Sequence, residues 1–119
     1  MVGRPLPVDS GITFEMVRKN NLVRAFAVIN HEISYTQAQK KSLEIMLDAE
    51  TLRFYEDKGD LTIDTLDDYL RFRDSVIYRI RACDDLLREL SGKKKEISRQ
   101  ILFCRKKIQD IALSKTRRC

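Results

Sequence analysis

The sequence predicts an all-α protein in which two shorter helices are followed by one long helix with a heptad pattern. Charged residues make up 34% of the 119 positions and tryptophan is absent, a composition typical of helical proteins. Both prolines, Pro5 and Pro7, lie within the first ten residues, so no proline interrupts the rest of the chain. Apolar residues alternate at spacings of three and four through the second half, which is the pattern of a long amphipathic helix.

The first helix is predicted to begin after Thr13, a residue type that caps helix N-termini. Apolar residues follow at spacings close to those of a helix, although residues 23–29 (VRAFAVI) also fit a short strand. The residues that carry the helical pattern are Met16, Val17, Leu22, Val23, Phe26 and Ile29.

The second helix is predicted over residues 35–58. Ser34 and Gln37 form a capping-box pattern at its start, and Gly59 supplies a stop at its end. The apolar residues of this helix are Leu43, Met46, Leu47, Leu52 and Tyr55.

The third helix is predicted over residues 65–113, with Asp64 as its N-cap. Its heptad stripe continues in phase through Gly92, where a glycine costs about 1 kcal/mol relative to alanine. A helical hairpin that breaks at Gly92 is the alternative. The stripe comprises Leu66, Tyr69, Arg73, Val76, Ile80, Cys83, Leu87, Leu90, Lys94, Ile97, Ile101, Cys104, Ile108 and Ile111.

The predicted domain organisation is a flexible lead-in over residues 1–12, a helical coiled-coil-type domain over 13–113 and a basic tail over 114–119. No apolar stretch resembles a signal peptide or reaches the roughly 18 residues that span a membrane. We therefore expect a cytoplasmic protein with no membrane partner.

Part of the long stripe is expected to pack on a partner, because two short helices cannot cover it. The partner is expected to be a second copy, another helical protein or another part of a larger chain. The residues predicted to pack there are Val76, Ile80, Cys83, Leu87, Leu90, Ile97, Ile101, Cys104 and Ile108. The three cysteines, which include Cys119, form no CxxC pair, so neither a zinc site nor a disulfide framework is indicated. Cys83 and Cys104 are interpreted as small apolar packing residues.

Charge is strongly segregated along the chain. The net charge is +3 over residues 1–43, −6 over 44–92 and +8 over 93–119. The basic arm, predicted to contact single- or double-stranded DNA, comprises Lys93, Lys94, Lys95, Arg99, Arg105, Lys106 and Lys107. Two alternatives are a solvated helix face and pairing with the acidic residues between Asp60 and Asp85.

No catalytic, metal or cofactor site is predicted. His31 is the only histidine and is expected at a helix end, where a cap or surface role fits better than a metal ligand. Tyr35, Tyr55, Tyr69 and Tyr78 lack an adjacent base or metal cluster and are interpreted as packing residues.

Two stretches of the sequence carry a resemblance to a known family: NNLVRAF (residues 20–26) and residues 49–108, which contain in order TLRFY (51–55), Gly59, the acidic start at 64–69 and the heptad helix. They resemble the helical region that follows the nuclease domain in relaxases of mobilisable and conjugative bacterial elements, where such parts occur in the same order. The resemblance implies a larger enzyme that nicks and escorts single-stranded DNA. This sequence lacks the H-x-H cluster of such a nuclease, so no catalytic residue carries over.

The sequence thus supports two hypotheses. The first is a non-catalytic helical module of a DNA-mobilisation protein that contacts the DNA backbone through the basic arm and packs on a partner. The second is a coiled-coil interaction or oligomerisation module without a nucleic-acid role.

Overall fold

The computed structural model describes residues 7–57 and 62–117, with side chains described for 11–57 and 62–114. This part of the chain is helical in two long elements, α1 (Pro7–Glu56, 50 residues) and α2 (Ile63–Arg117, 55 residues). The all-α prediction is therefore confirmed.

The predicted arrangement of two shorter helices before one long helix is wrong. A single helix, α1, replaces the two short ones, and Ser34 of the predicted capping box lies inside it. No proline or glycine lies between Gly11 and Gly59, so continuing the helix costs a few tenths of a kcal/mol per residue. Ending it would instead leave backbone groups to be satisfied by caps or water.

The alternative hairpin with its break at Gly92 is also wrong. Helix α2 runs through Gly92, and a Cβ added there would meet nothing within 4 Å. The chain leaves α1 after Glu56 and enters α2 at Ile63. The stop predicted at Gly59 lies outside the described residues.

The ends of both helices differ from those predicted. Helix α1 starts at Pro7 rather than after Thr13, and proline fits a first helical turn because its missing N–H needs no partner there. At the start of α2 the cap is Thr62 rather than Asp64. The Thr65 backbone N–H donates to Thr62 Oγ1 (3.1 Å), and the Thr62 N–H donates to Thr65 Oγ1 (2.7 Å).

The two helices extend beyond residues 13–113 at both ends. Residues 7–12 of the predicted lead-in are helical, and residues 1–6 lie outside the described residues. Helix α2 continues into the predicted basic tail as far as Arg117. The chain divides into two compact units, unit 1 (Met1–His31 with Gly92–Cys119) and unit 2 (Glu32–Ser91).

Within each unit, a segment of α1 packs against a segment of α2. In unit 1, Glu15 meets Lys107 and Phe26 meets Lys94, so the two segments run antiparallel. In unit 2, pairs between residues 40 and 84 and between residues 51 and 69 show the same direction. Unit 2 is therefore an antiparallel helical hairpin.

The inner face of α2 coincides with the predicted stripe. From Tyr69 to Ile111, every stripe residue except Arg73 is buried or half-buried, and Val76, Leu90, Ile101 and Cys104 are the most buried. The intramolecular partner is α1, which at 50 residues is much longer than the helices expected to cover the stripe.

The inner face of α1 follows a heptad pattern of its own, interrupted by polar residues. Thr36 is 3% exposed, and its hydroxyl donates to the Glu32 carbonyl oxygen one turn earlier at 2.8 Å. The positions of this face are Glu15, Lys19, Leu22, Phe26, Ile29, Ile33, Thr36, Lys40, Leu43, Leu47, Glu50 and Phe54, all buried or half-buried.

Polar and aromatic contacts fix how the two helices meet in unit 2. Lys40 Nζ lies 2.7 Å from Asp84 Oδ1, and this hydrogen bond raises the pKa of Lys40 above its ordinary value of 10.5. The hydroxyls of Thr51 and Tyr69 are 2.7 Å apart, and the Tyr69 ring stacks on Phe54 with centroids 4.2 Å apart. Each pair joins a residue of α1 to one of α2, so these contacts select one register.

Candidate nucleic-acid interface

Unit 1 gathers basic residues from both helices. Among its described side chains, those of residues 11–31 and 92–114, ten are basic and three are acidic. The acidic ones are Glu15, Glu96 and Asp110. The basic ones are the seven residues of the basic arm together with Arg18, Lys19 and Arg24 of α1. The fold therefore adds to unit 1 two exposed cations that sequence reasoning missed, Arg18 and Arg24, whereas Lys19 lies half-buried on the inner face of α1.

An outward basic face lies on α2 of unit 1. Lys95, Arg99 and Lys106 are all exposed, and their spacings of four and seven residues place them within about 40° of one another around the helix. Arg99 Nη1 lies 3.4 Å from Glu96 Oε2, but the Arg99 side chain remains 76% exposed. Such surface pairs contribute at most about 1 kcal/mol, so Arg99 can exchange this partner for a phosphate.

Two residues of the basic arm are engaged inside unit 1 instead. Lys94 is half-buried, and its Nζ lies 5.5 Å from the centre of the Phe26 ring. Lys107 Nζ lies 3.5 Å from Glu15 Oε1 and 5.0 Å from the centre of the Phe103 ring. These cations stabilise the packing of α2 on α1. The remaining arm residues, Lys93 and Arg105, are exposed.

A buried polar pair lies beside the basic arm. Glu15 is 5% exposed and Cys104 is fully buried, and Glu15 Oε2 has no hydrogen-bond partner among the described residues. Burial raises the pKa of the Cys104 thiol above 9.0, and the neighbouring Glu15 carboxylate adds to the rise. The thiol therefore stays protonated near neutral pH, where it is a poor nucleophile.

The residues predicted to pack on a partner lie on the inner face of α2, where α1 of the same chain is present. Val76, Leu90, Ile101 and Cys104 are buried there. The others are half-buried: Ile80, Cys83, Leu87, Ile97 and Ile108. A second copy or another helical partner remains a prediction.

The remaining candidate residues are dispersed. His31 is exposed within α1, not at the helix end where it was expected. Tyr35, Tyr55 and Tyr78 are 61–75% exposed, whereas Tyr69 stacks on Phe54, as expected of a packing residue. Within residues 11–57 and 62–114, no group of three or more His, Cys, Asp or Glu side chains is placed to hold a metal ion.

A small groove lies on the outer surface of α2 in unit 1. Its volume is about 430 Å³, and its lining combines the exposed apolar side chains Leu102 and Phe103 with cations of the outward face. The lining residues are Glu96, Arg99, Gln100, Leu102, Phe103 and Lys106. The surface around Arg99 and Lys106 is thus mixed apolar and basic.

Comparisons with known proteins return no similar family, relative or fold. The chain matches no protein-family model, no curated protein and no solved structure. Neither described helix has a stretch long and apolar enough to cross a membrane. The cytoplasmic location and the likeness to relaxase helical regions both stay predictions.

Proposed function

We propose that this chain is a non-catalytic helical module that binds the phosphate backbone of DNA through unit 1. The observation that carries the proposal is the ten-to-three excess of basic over acidic side chains in that unit. Phosphate contacts by lysine and arginine supply most of the affinity of sequence-independent DNA binding. The proposal assigns the contacts to Lys95, Arg99 and Lys106 first, because these three share one exposed face.

The spacing of the outward face suits a phosphate backbone. Eleven residues separate Lys95 from Lys106, which is about 17 Å along the helix at 1.5 Å per residue. Successive phosphates of one strand advance by about 3.4 Å along a duplex, so this distance corresponds to about five phosphates. Lys95 and Arg99 are thus about two phosphates apart and Arg99 and Lys106 about three, and Arg105 adds a further exposed cation on the same helix.

The setting of this module is proposed from sequence resemblance alone. Residues 20–26 and 49–108 resemble the helical region of mobilisation relaxases. In that setting, the module holds DNA while a nuclease elsewhere performs the chemistry.

A second candidate function is protein interaction without DNA. It is favoured by the large apolar side chains exposed on both units, among them Phe14, Val28, Ile45 and Tyr78. Exposed apolar surface of this kind marks interaction sites in folded proteins. DNA binding distinguishes the two candidates, because the second requires none.

The test compares two triple charge reversals. The first, Lys95→Glu with Arg99→Glu and Lys106→Glu, removes the outward face and leaves Lys94 and Lys107 in their packing roles. The matched control, Arg71→Glu with Arg81→Glu and Arg88→Glu, changes the net charge equally at exposed positions of unit 2. Binding to labelled duplex and single-stranded DNA is measured by fluorescence anisotropy across a salt series.

We expect the first variant to bind at least about tenfold more weakly at low salt. On duplex DNA, its plot of log affinity against log salt should flatten by up to about 2.7, at about 0.9 per lost contact. The control should stay within about threefold of wild type, because unit 2 makes no phosphate contacts in this proposal. Equal losses of DNA affinity in both variants, or no DNA binding by the wild type, would contradict the proposed function.

A further inference from the structure

Each unit leaves large apolar side chains on its surface. Eight are exposed among the described residues of unit 1, including Phe14, Val28 and Leu102, and nine among those of unit 2, including Tyr35, Ile45 and Tyr78. Scattered single apolar residues are normal on a protein surface, but a helix pair with this many has apolar area on its outer faces. Both units therefore offer surface whose burial would be favourable.

The two units carry opposite net charge. The described side chains of unit 2, in residues 32–57 and 62–91, comprise thirteen acidic and eight basic ones, against three and ten in unit 1. The carboxylates of unit 2 are accessible, since the side chains of Asp67, Asp74 and Asp85 are 54%, 71% and 75% exposed. Each forms an ion pair with an arginine of its own helix, and such exposed pairs are weak.

We infer that unit 1 of one copy of this chain binds unit 2 of a second copy. Burial of the exposed apolar side chains supplies the favourable free energy, and the opposite charges select which surfaces meet. Pairing of two unit 1 surfaces would bring like charges together, as would pairing of two unit 2 surfaces. Charge complementarity thus favours the reciprocal arrangement over both like-with-like arrangements.

The outward basic face has two competing ligands under this inference. Lys95, Arg99 and Lys106 meet either a DNA backbone, as proposed above, or the acidic surface of another copy. DNA and self-association are then mutually exclusive at this face, which links binding to assembly state. The pairing itself rests on the charges and apolar residues of the two units and stands without DNA binding.

The test is a charge-swap rescue, measured by sedimentation velocity at low salt. Variant A carries Lys95→Glu, Arg99→Glu and Lys106→Glu, so the outward face of its unit 1 is acidic instead of basic. Variant B carries Asp67→Lys, Asp74→Lys and Asp85→Lys, which gives unit 2 an excess of basic residues. Circular dichroism of each variant verifies that the helices form, since all six positions are on the surface.

We expect the wild type to self-associate and each variant alone to do so at least about tenfold more weakly. An equimolar mixture of A and B should associate again. The reversed acidic face on unit 1 of A can meet the three new lysines on unit 2 of B, and the acidic unit 2 of A can meet the unchanged basic unit 1 of B. A wild type that stays monomeric up to about 0.1 mM would overturn the inference. So would a folded mixture that fails to associate, or variants that associate as strongly as the wild type.

The readout separates this inference from the proposed DNA function. Variant B retains the outward basic face, so it should bind DNA at least as strongly as the wild type while failing to self-associate. If no protein binds DNA but the mixture is rescued, the proposed function fails and the pairing stands. If variant B binds DNA and the mixture is not rescued, the pairing fails and the proposed function stands.

Discussion

In units 1 and 2, α2 packs against α1 in the same way, but the two units differ in the charge of their exposed surfaces. Both place a largely apolar stripe of α2 against a face of α1 that contains polar residues. In unit 1 the polar contact joins the buried carboxylate of Glu15 to a Lys107 side chain that is 46% exposed, whereas both partners of the Lys40–Asp84 pair of unit 2 are about one-third exposed. Outside the packed face, unit 1 is basic and unit 2 is acidic. The heptad pattern therefore determines the packing, and the outer residues determine what each unit can bind.

The largest expected effect tests the shared packing. Ile101→Asp in unit 1 or Val76→Asp in unit 2 places a carboxylate at a position that is 9% or 3% exposed. We expect each to lower the free energy of unfolding by more than about 3 kcal/mol, because the charge loses water without gaining a partner. Urea denaturation followed by circular dichroism measures the loss.

The control for this prediction is the neighbouring residue. Leu102 is 62% exposed, so Leu102→Asp should change stability by less than about 0.5 kcal/mol. If Leu102→Asp proved as damaging as Ile101→Asp, the inner face of α2 would be wrongly assigned.

A smaller effect distinguishes the contribution to stability of the Glu15–Lys107 contact in unit 1 from that of the Lys40–Asp84 contact in unit 2. Lys107→Ala leaves Glu15 buried without its cation and should cost about 1–2 kcal/mol. Asp84→Asn should cost less, because Lys40 reaches water once the ion pair is lost. Thermal unfolding measures the loss of stability in both variants. A larger loss for Asp84→Asn than for Lys107→Ala would contradict the prediction.

Replacing Glu15 itself should raise the stability of the folded chain, where replacing Lys107 lowers it. Glu15→Leu removes a carboxylate whose Oε2 has no partner among the described residues and extends the apolar packing beside Cys104. We expect a gain of about 1 kcal/mol, since buried ion pairs are often weaker than apolar contacts of similar volume. A loss of stability would show that the carboxylate is needed in the folded state.

The smallest effect concerns the continuity of α2. Gly92→Ala places a Cβ where nothing lies within 4 Å, so the substitution meets no steric obstacle. Alanine should raise stability by about 0.5–1 kcal/mol, because it restricts the unfolded chain and favours the helix. A measurable loss would indicate a break at Gly92 in solution.

The sequence predicted α2 far better than α1, for a physical reason. The α2 stripe is apolar at almost every heptad position, so its inner face and its passage through Gly92 followed from periodicity. The inner face of α1 includes Glu15, Lys19 and Lys40, while the apolar Val17 and Val23 point outward at 54% and 44% exposure. Apolar spacing alone therefore mixed inner-face residues such as Leu22 and Phe26 with outward ones.

The sequence predicted only part of the candidate site, because the rest depends on contacts between α1 and α2. The basic arm lies on one segment and was visible in the sequence, but its division into outward and packed residues depends on α1. Phe26 and Glu15 engage Lys94 and Lys107, and neither partner is close to them in sequence. The addition of Arg18 and Arg24 likewise required knowing which part of α1 packs against residues 92–114.

The most direct test of the account is to locate the DNA-binding surface by nuclear magnetic resonance. A short DNA duplex is titrated into the isotopically labelled chain at about 0.1 M salt, where the Debye length of about 10 Å keeps weak charge effects local. With the chain kept dilute enough to be monomeric, the account predicts that amide signals of residues 93–107 and 18–24 shift together while those of residues 32–91 stay unchanged. Shifts centred on residues 32–91, or no shifts in either unit, would contradict it.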